Sequence, residues 1–379
     1  MAKNKKKRIP WQGALMLLVF MALGGVCGVM IARHMDTMSS PDQSPAMTIL
    51  LFAGMILVLY LLLFLQIVVH EGGHLLFGLF SGYKFSSFRV ASFMWVKLDG
   101  KLRFKRLSLA GTGGQCLMDP PDMADGKLPV ILYNLGGSIL NLISAGLCLI
   151  LWRLTLGMAL WPIVFLMTAL IGLVFALVNG IPLRMGAVDN DGYNALSLGK
   201  NPSALRAFWI QMKMAALQAQ GVRLKDMPEE WFALPDEEGM QNSLIAVLAV
   251  FRCNRLMDAH KFQTAREEMG KLVSGKNALM GIYQNLLTCD LMYCECLFEN
   301  RPDRLERMFT KGQKKFMKSM KKFPAVLRTQ YTYALLTEGD RNKADTIEKQ
   351  FQKVGKSYPY SVEWESEREL INLAKARSA

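Results

Sequence analysis

Histidine is scarce in this chain, glutamate is nearly missing from its first half, and Lys and Arg are missing from four long stretches. Only four histidines occur in 379 residues, and Glu71 is the only glutamate before residue 200. Any histidine-based site must therefore draw on very few residues. The seven cysteines are odd in number and scattered, which excludes a complete disulfide framework. Cys289, Cys294 and Cys296 cluster in an apolar, helix-like stretch with no second cluster to complete a metal site. They read as reduced thiols of a cytosolic compartment. Gly111-Thr112-Gly113-Gly114 lacks the Lys-Ser/Thr of a phosphate loop and reads as a turn. The net charge is +14, yet no nucleic-acid module accompanies it, so a nucleic-acid partner is not expected.

What is present divides sharply near residue 200. Apolar residues make up 51%, only slightly above a soluble protein's share, but they are unevenly placed. Residues 1–199 carry 16 Lys/Arg against 9 Asp/Glu, and residues 200–379 carry 29 against 22. Each part thus contributes about half of the surplus. The stretches without Lys or Arg are Trp11–Ala32, Met47–Phe80, Leu128–Trp152 and Leu156–Leu183. Each is long enough to cross a bilayer, which takes about 20 apolar residues. The first follows a basic lead, Lys3 to Arg8. Its apolar run is too long for a signal core, so it reads as a retained anchor. The tail has five basic residues and the 81–127 loop eight, against Arg33 and Arg153 in the two other connections. Positive charge inside then puts both termini and that loop in the cytoplasm of a cell, read as bacterial. Three domains are expected: 1–46, with the tail and first span; a membrane core at 47–199; and a cytosolic helical domain at 200–379. The fold class is an all-α membrane protein with a β-hairpin-containing loop and a solenoid-like helical array.

The chemistry concentrates in His70-Glu71-Gly72-Gly73-His74. Histidines four apart on a helix stack one turn apart on one face, where both imidazoles can hold a tetrahedral zinc ion. Glu71 lies beside them as the group that handles the zinc-bound water. By residue frequencies the motif arises by chance about 0.002 times in such a chain. An ionisable residue at membrane depth is a functional hypothesis by default; the bland reading is two buried histidines bonded to backbone. Catalytic zinc takes three protein ligands plus water. His34 and His260 are poorly placed, so a carboxylate after the fourth span is expected, Asp189 or Asp191. Asp99, Asp119, Asp122 and Asp125 in the loop are weaker rivals.

With these residues the chain resembles the site-2 protease family of intramembrane zinc proteases. The resemblance covers about 47–199. His70, Glu71, His74 and the Asp191-Gly192 pair match that family's HExxH and Asp-Gly motifs. Gly137-Ser138-Ile139-Leu140-Asn141 matches its Gly-Pro-x-x-Asn, with Ser in place of Pro. The resemblance implies zinc at His70, His74 and Asp191, Glu71 as catalytic base, and Asn141 steadying the oxyanion. An interhelical hydrogen bond explains Asn141 equally well. Eight residues separate Pro182 from Asp191, more than the family's usual spacing, which keeps Asp189 in play. Gly72 and Gly73 suit close approach of a substrate backbone or of another helix.

Phe85–Leu109 is strand-like, with Asp99-Gly100 as a hairpin turn. Its edge could pair with an unwound substrate segment, or its face could lie on lipid headgroups. Beyond 200, turn signals recur near His260, Asn300 and Asp340. They precede expected helices at 263–272, 303–323 and 343–354, in the manner of tetratricopeptide-type hairpins that bind partner proteins. The leading expectation is a protease acting on a membrane-embedded or membrane-adjacent peptide. The alternatives are a non-enzymatic membrane scaffold and, weakly, a transporter, since no inverted halves are visible.

Overall fold

A computed structural model describes residues 11–38, 44–98, 100–108, 113–185 and 188–378. Four helices in it are long and apolar enough to cross a membrane: α1 (Trp11–Met38), α2 (Pro45–Phe80), α3 (Val130–Leu154) and α4 (Trp161–Gly180). Local chemistry sets their ends. The Ser44 side chain accepts from the Met47 N–H, and Pro45 opens α2; proline suits this position because its missing donor is unused there. Pro162 likewise opens α4, so that helix begins five residues later than Leu156, where hydropathy alone starts it. At 36 residues, α2 is about 54 Å long, well beyond the hydrocarbon core of about 30 Å. Leu50, Leu57, Leu61 and Leu147 are exposed, an arrangement suited to lipid rather than water.

Two compact units emerge. The first takes the chain up to Tyr83 together with Pro129–Lys200. In it α1, α2 and α4 share Cys27, Ile31, Met55, Leu62, Ile163, Met167 and Ile171. The second unit joins Lys84–Leu128 to Asn201–Ala379. Its four-stranded antiparallel sheet has the order β3-β2-β1-β4, from β1 (Lys84–Val90), β2 (Phe93–Leu98), β3 (Lys101–Arg106) and β4 (Gly114–Asp119). Gly100, at φ +75, turns the chain between β2 and β3; Asp99, Gly111 and Thr112 lie outside the described residues.

The sequence reading grouped this segment with the membrane core because it lies between two spans. Its packing partners lie beyond residue 200. Met94 and Val96 are buried with Leu107, Ala219 and Tyr358. Trp209 Nε1 donates to the Pro121 carbonyl at 2.9 Å, and Lys213 pairs with Asp119 at 2.9 Å.

Helices α5 (Asp191–Ser197) and α6 (Pro202–Ala219) follow α4. The helical domain continues with α7 (Ser243–Asp258), α8 (Phe262–Ser274), α9 (Gly281–Phe298), α10 (Pro302–Met308), α11 (Lys311–Ser319), α12 (Pro324–Thr332), α13 (Arg341–Gly355) and α14 (Ser361–Ser378). Left-handed residues recur at the turns: His260 at φ +55, Asn300 at +47 and Gly339 at +67. These are the turns marked by the sequence. The stretch read as one helix, 303–323, is broken at Phe309. Thr310 starts a new helix by accepting from the Gln313 N–H at 3.1 Å, while the Phe309 ring sits edge-on against Tyr333.

Candidate metal centre

The 3.6-residue turn of α2 puts Gln66, His70 and His74 on one face. His70 Nε2 and His74 Nε2 are 3.2 Å apart. Asp191 Oδ2, from the first turn of α5, is 3.1 Å from the first and 3.4 Å from the second. Among the described residues this is the one group of three or more His, Cys, Asp or Glu side chains that could hold a metal ion. The other nitrogen of each ring is occupied. His74 Nδ1 lies 2.8 Å from the Tyr133 carbonyl, which only accepts, so the proton is on Nδ1 and Nε2 carries a lone pair. His70 Nδ1 lies 2.8 Å from Asn141 Oδ1 and is placed the same way. Three electron-pair donors thus converge, an arrangement that repels itself unless a cation lies between them. Ligands about 2.0–2.1 Å from a tetrahedral zinc ion are about 3.3 Å from one another. The three observed separations bracket that value, so the donor set fits zinc in number, type and spacing.

Asp191 is held by its neighbour. Asn190 Oδ1 accepts from the Leu183 and Tyr193 N–H groups at 2.9 and 3.0 Å. Its Nδ2 donates to the Val178 and Ile181 carbonyls at 2.8 and 2.6 Å. The chain leaving α4 is thereby folded back so that α5 begins beside α2. Asp189 faces elsewhere, pairing with Arg184 at 3.1 Å. Of the loop carboxylates, Asp119 and Asp122 pair with Lys213.

Glycines permit the approach. A Cβ on Gly73 would lie 2.2 Å from the Gly136 carbonyl oxygen, and one on Gly137 would lie 2.5 Å from the His70 ring. One on Gly192 would lie 2.1 Å from the Gly180 carbonyl oxygen. Gly73 and Gly192 therefore serve helix contact. Gly72 meets only Leu140, at 3.9 Å, which leaves its face open.

Glu71 is buried at 8% exposure, in the turn that joins the two histidines. Asn141 is wholly buried, but its amide is not free for an oxyanion. Both Nδ2 contacts go to Gln66, at 2.6 Å to Oε1 and 3.2 Å to the carbonyl, and Oδ1 faces His70. The chain matches no family model, no curated protein and no solved structure. The site therefore stands on its own geometry.

His34 lies on α1, and His260 stacks on Phe262 in the helical domain; neither belongs to the cluster. Cys289, Cys294 and Cys296 are buried in the helical core. Sequence reasoning missed Gln66, Tyr133 and Asn190. Gln66 had left a signal, an amide in an apolar run four residues before His70. The Tyr133 contact is made by backbone, to which residue type is silent.

Proposed function

We propose that the chain is a zinc-dependent intramembrane endopeptidase. The observation that carries this reading is the convergence of three lone-pair donors at tetrahedral-edge spacing, with the buried Glu71 in the same helical turn. A structural zinc site is closed by four protein ligands; three ligands leave a position for water. When bound, zinc lowers the pKa of that water to about 7 and draws charge from a peptide carbonyl. Glu71 would take a proton from water as its oxygen adds to the peptide carbonyl, and would pass that proton to the amine nitrogen as the C–N bond breaks. His70, His74 and Asp191 hold the geometry, and Asn141 orients His70 instead of contacting the oxyanion. Residues His70 and His74 lie on a helix apolar enough to span the bilayer, so the substrate is a membrane-embedded or membrane-adjacent peptide segment.

The remaining parts follow from charge and pattern. Both termini lie in the cytoplasm, by the excess of Lys and Arg in the tail and the 81–127 loop. The helical domain is a hairpin array that selects a protein partner, on the strength of left-handed turns about forty residues apart. The deciding experiment measures zinc in purified wild type, His74→Ala and Asp191→Ala, and cleavage of a reconstituted membrane peptide by wild type and Glu71→Gln. One zinc per wild-type chain, lost in both ligand variants, with cleavage lost in Glu71→Gln, supports the reading. Cleavage at the wild-type rate by Glu71→Gln would overturn it.

A further inference from the structure

Gln66 is wholly buried in α2, one turn before His70. Its Nε2 donates to the Thr168 carbonyl and to Ser144 Oγ, each at 3.2 Å. Its Oε1 accepts from Asn141 Nδ2 at 2.6 Å. Asn141 Oδ1 in turn faces His70 Nδ1 at 2.8 Å. We propose that Gln66 is a positioning residue that sets the tautomer of His70, by relaying the direction of a backbone carbonyl on α4 through two side-chain amides.

The direction of this chain of bonds is forced at its origin. A peptide carbonyl only accepts, so Thr168 demands the NH₂ end of Gln66. The oxygen end of Gln66 then demands the NH₂ end of Asn141, and the oxygen end of Asn141 demands a proton on His70 Nδ1. Nε2 of His70 is left with its lone pair toward His74 and Asp191. His74 reaches the same tautomer in one step, through the Tyr133 carbonyl. In the span, water cannot supply a substitute partner; the one other acceptor of the Asn141 amide is the Gln66 backbone carbonyl, at 3.2 Å the longer of its two bonds. The proposal rests on the metal-centre reading for its consequence, since a proton on Nε2 blocks the one nitrogen of His70 that faces His74 and Asp191; the tautomer itself can be read without metal.

The test uses the full chain in detergent with ¹⁵N-labelled histidine. His70 is assigned by its loss in His70→Ala. Wild type should show His70 protonated at Nδ1. Gln66→Met keeps the volume and removes the shorter of the two bonds that orient Asn141, leaving only the one to the Gln66 carbonyl at 3.2 Å, so the amide should populate the reversed orientation and His70 should shift toward the Nε2–H form. Zinc affinity, measured by chelator competition, should fall about 10- to 100-fold, the usual effect of losing an outer hydrogen-bond partner. In an Asn141→Asp background the carboxylate offers His70 only acceptors, and adding Gln66→Met should then change affinity less than about twofold. Where Gln66→Met fails to fold, Gln66→Glu is the second variant. Its protonated form retains both the donor toward Thr168 and the acceptor toward Asn141, and it should keep the wild-type tautomer. An unchanged His70 tautomer in Gln66→Met, or an equal loss of affinity in the Asn141→Asp background, overturns the relay and leaves helix packing as the role of Gln66. If wild type takes up no zinc, the metal-centre reading falls, while the tautomer comparison still decides the relay.

Discussion

Both compact units bury ionisable side chains, and they balance them in opposite ways. In the helical domain Arg328 is buried between Asp290 and Glu367, with Nε 2.7 Å from the latter, and it lies over the Tyr293 ring. Arg223 joins the buried Asp258 to the partly exposed Glu369. Each carboxylate there meets a guanidinium that brings its own protons. In the membrane-spanning unit His70, His74 and Asp191 meet as three acceptors, and no Lys or Arg among the described residues pairs with Asp191. A buried network whose carboxylates are met by a guanidinium is a structural element. Three acceptors that converge without a guanidinium or ammonium have the donor set of a cation site. The distinction comes from counting protons as well as distances.

The comparison can be broken most decisively at Glu71. Glu71→Gln should lower turnover of a reconstituted membrane peptide by about 10²–10⁴-fold while zinc content stays at the wild-type level. Loss of zinc as well would make Glu71 part of the binding set and blur the contrast.

On the other side, Arg328→Met should destabilise the helical domain by about 3–5 kcal/mol, because Asp290 and Glu367 are left buried without a counter-ion. Thermal unfolding followed by circular dichroism reads this. Replacing Asp290 and Glu367 with Leu in the same chain should recover most of the loss. A deficit that persists would show that the network does more than balance charge.

Gly73→Ala should cost about 1–3 kcal/mol through overpacking against the Gly136 carbonyl, and it should reduce zinc uptake by separating α2 from α3. Gly72→Ala, with open space around it, should hold zinc normally. Equal behaviour of the two variants in a metal assay would refute the assignment of Gly73 to helix contact.

Glu363 gives the domain a pH dependence. Burial raises its carboxyl to about 7, against a hydrogen bond with Tyr358 that lowers it and repulsion from Glu367 that raises it. The folded state keeps its proton above the ordinary glutamate value of 4.5. The stabilising contribution is therefore complete below about 4.5 and is lost as pH rises through about 7. Glu363→Gln, which mimics the protonated form, should match wild type near pH 4.5 and exceed it at pH 8 by up to about 3 kcal/mol. A difference that does not vary with pH would place Glu363 in contact with water.

The smallest effect is expected at Asp189. Asp189→Asn loses a pair with the half-exposed Arg184, worth about 0–1 kcal/mol, and should retain full zinc. Zinc lost in Asp189→Asn and kept in Asp191→Asn would exchange their roles.

Much of this protein is written locally. The four apolar stretches, the His70–His74 spacing, the Gly100 turn and the left-handed positions near 260, 300 and 340 all follow from residue type and from periods of a few residues, because helix and turn geometry act over that range. The choice between Asp189 and Asp191 was not local. Both lie on the same short stretch after α4, and Asn190, anchored to carbonyls 9 and 12 residues back, decides which of them faces α2. The role of Asn141 was likewise set at a distance, by Gln66, which lies 75 residues away in sequence and 2.6 Å away in space. The β-sheet followed the same rule. Strand pattern fixed the alternation of Met94, Trp95 and Val96, but the partners of its buried face, Ala219 and Tyr358, lie more than a hundred residues further on. Hydrogen bonds and apolar contacts are satisfied by whatever the fold brings near. A one-dimensional pattern names the groups that need partners, and the tertiary structure decides which ones they get.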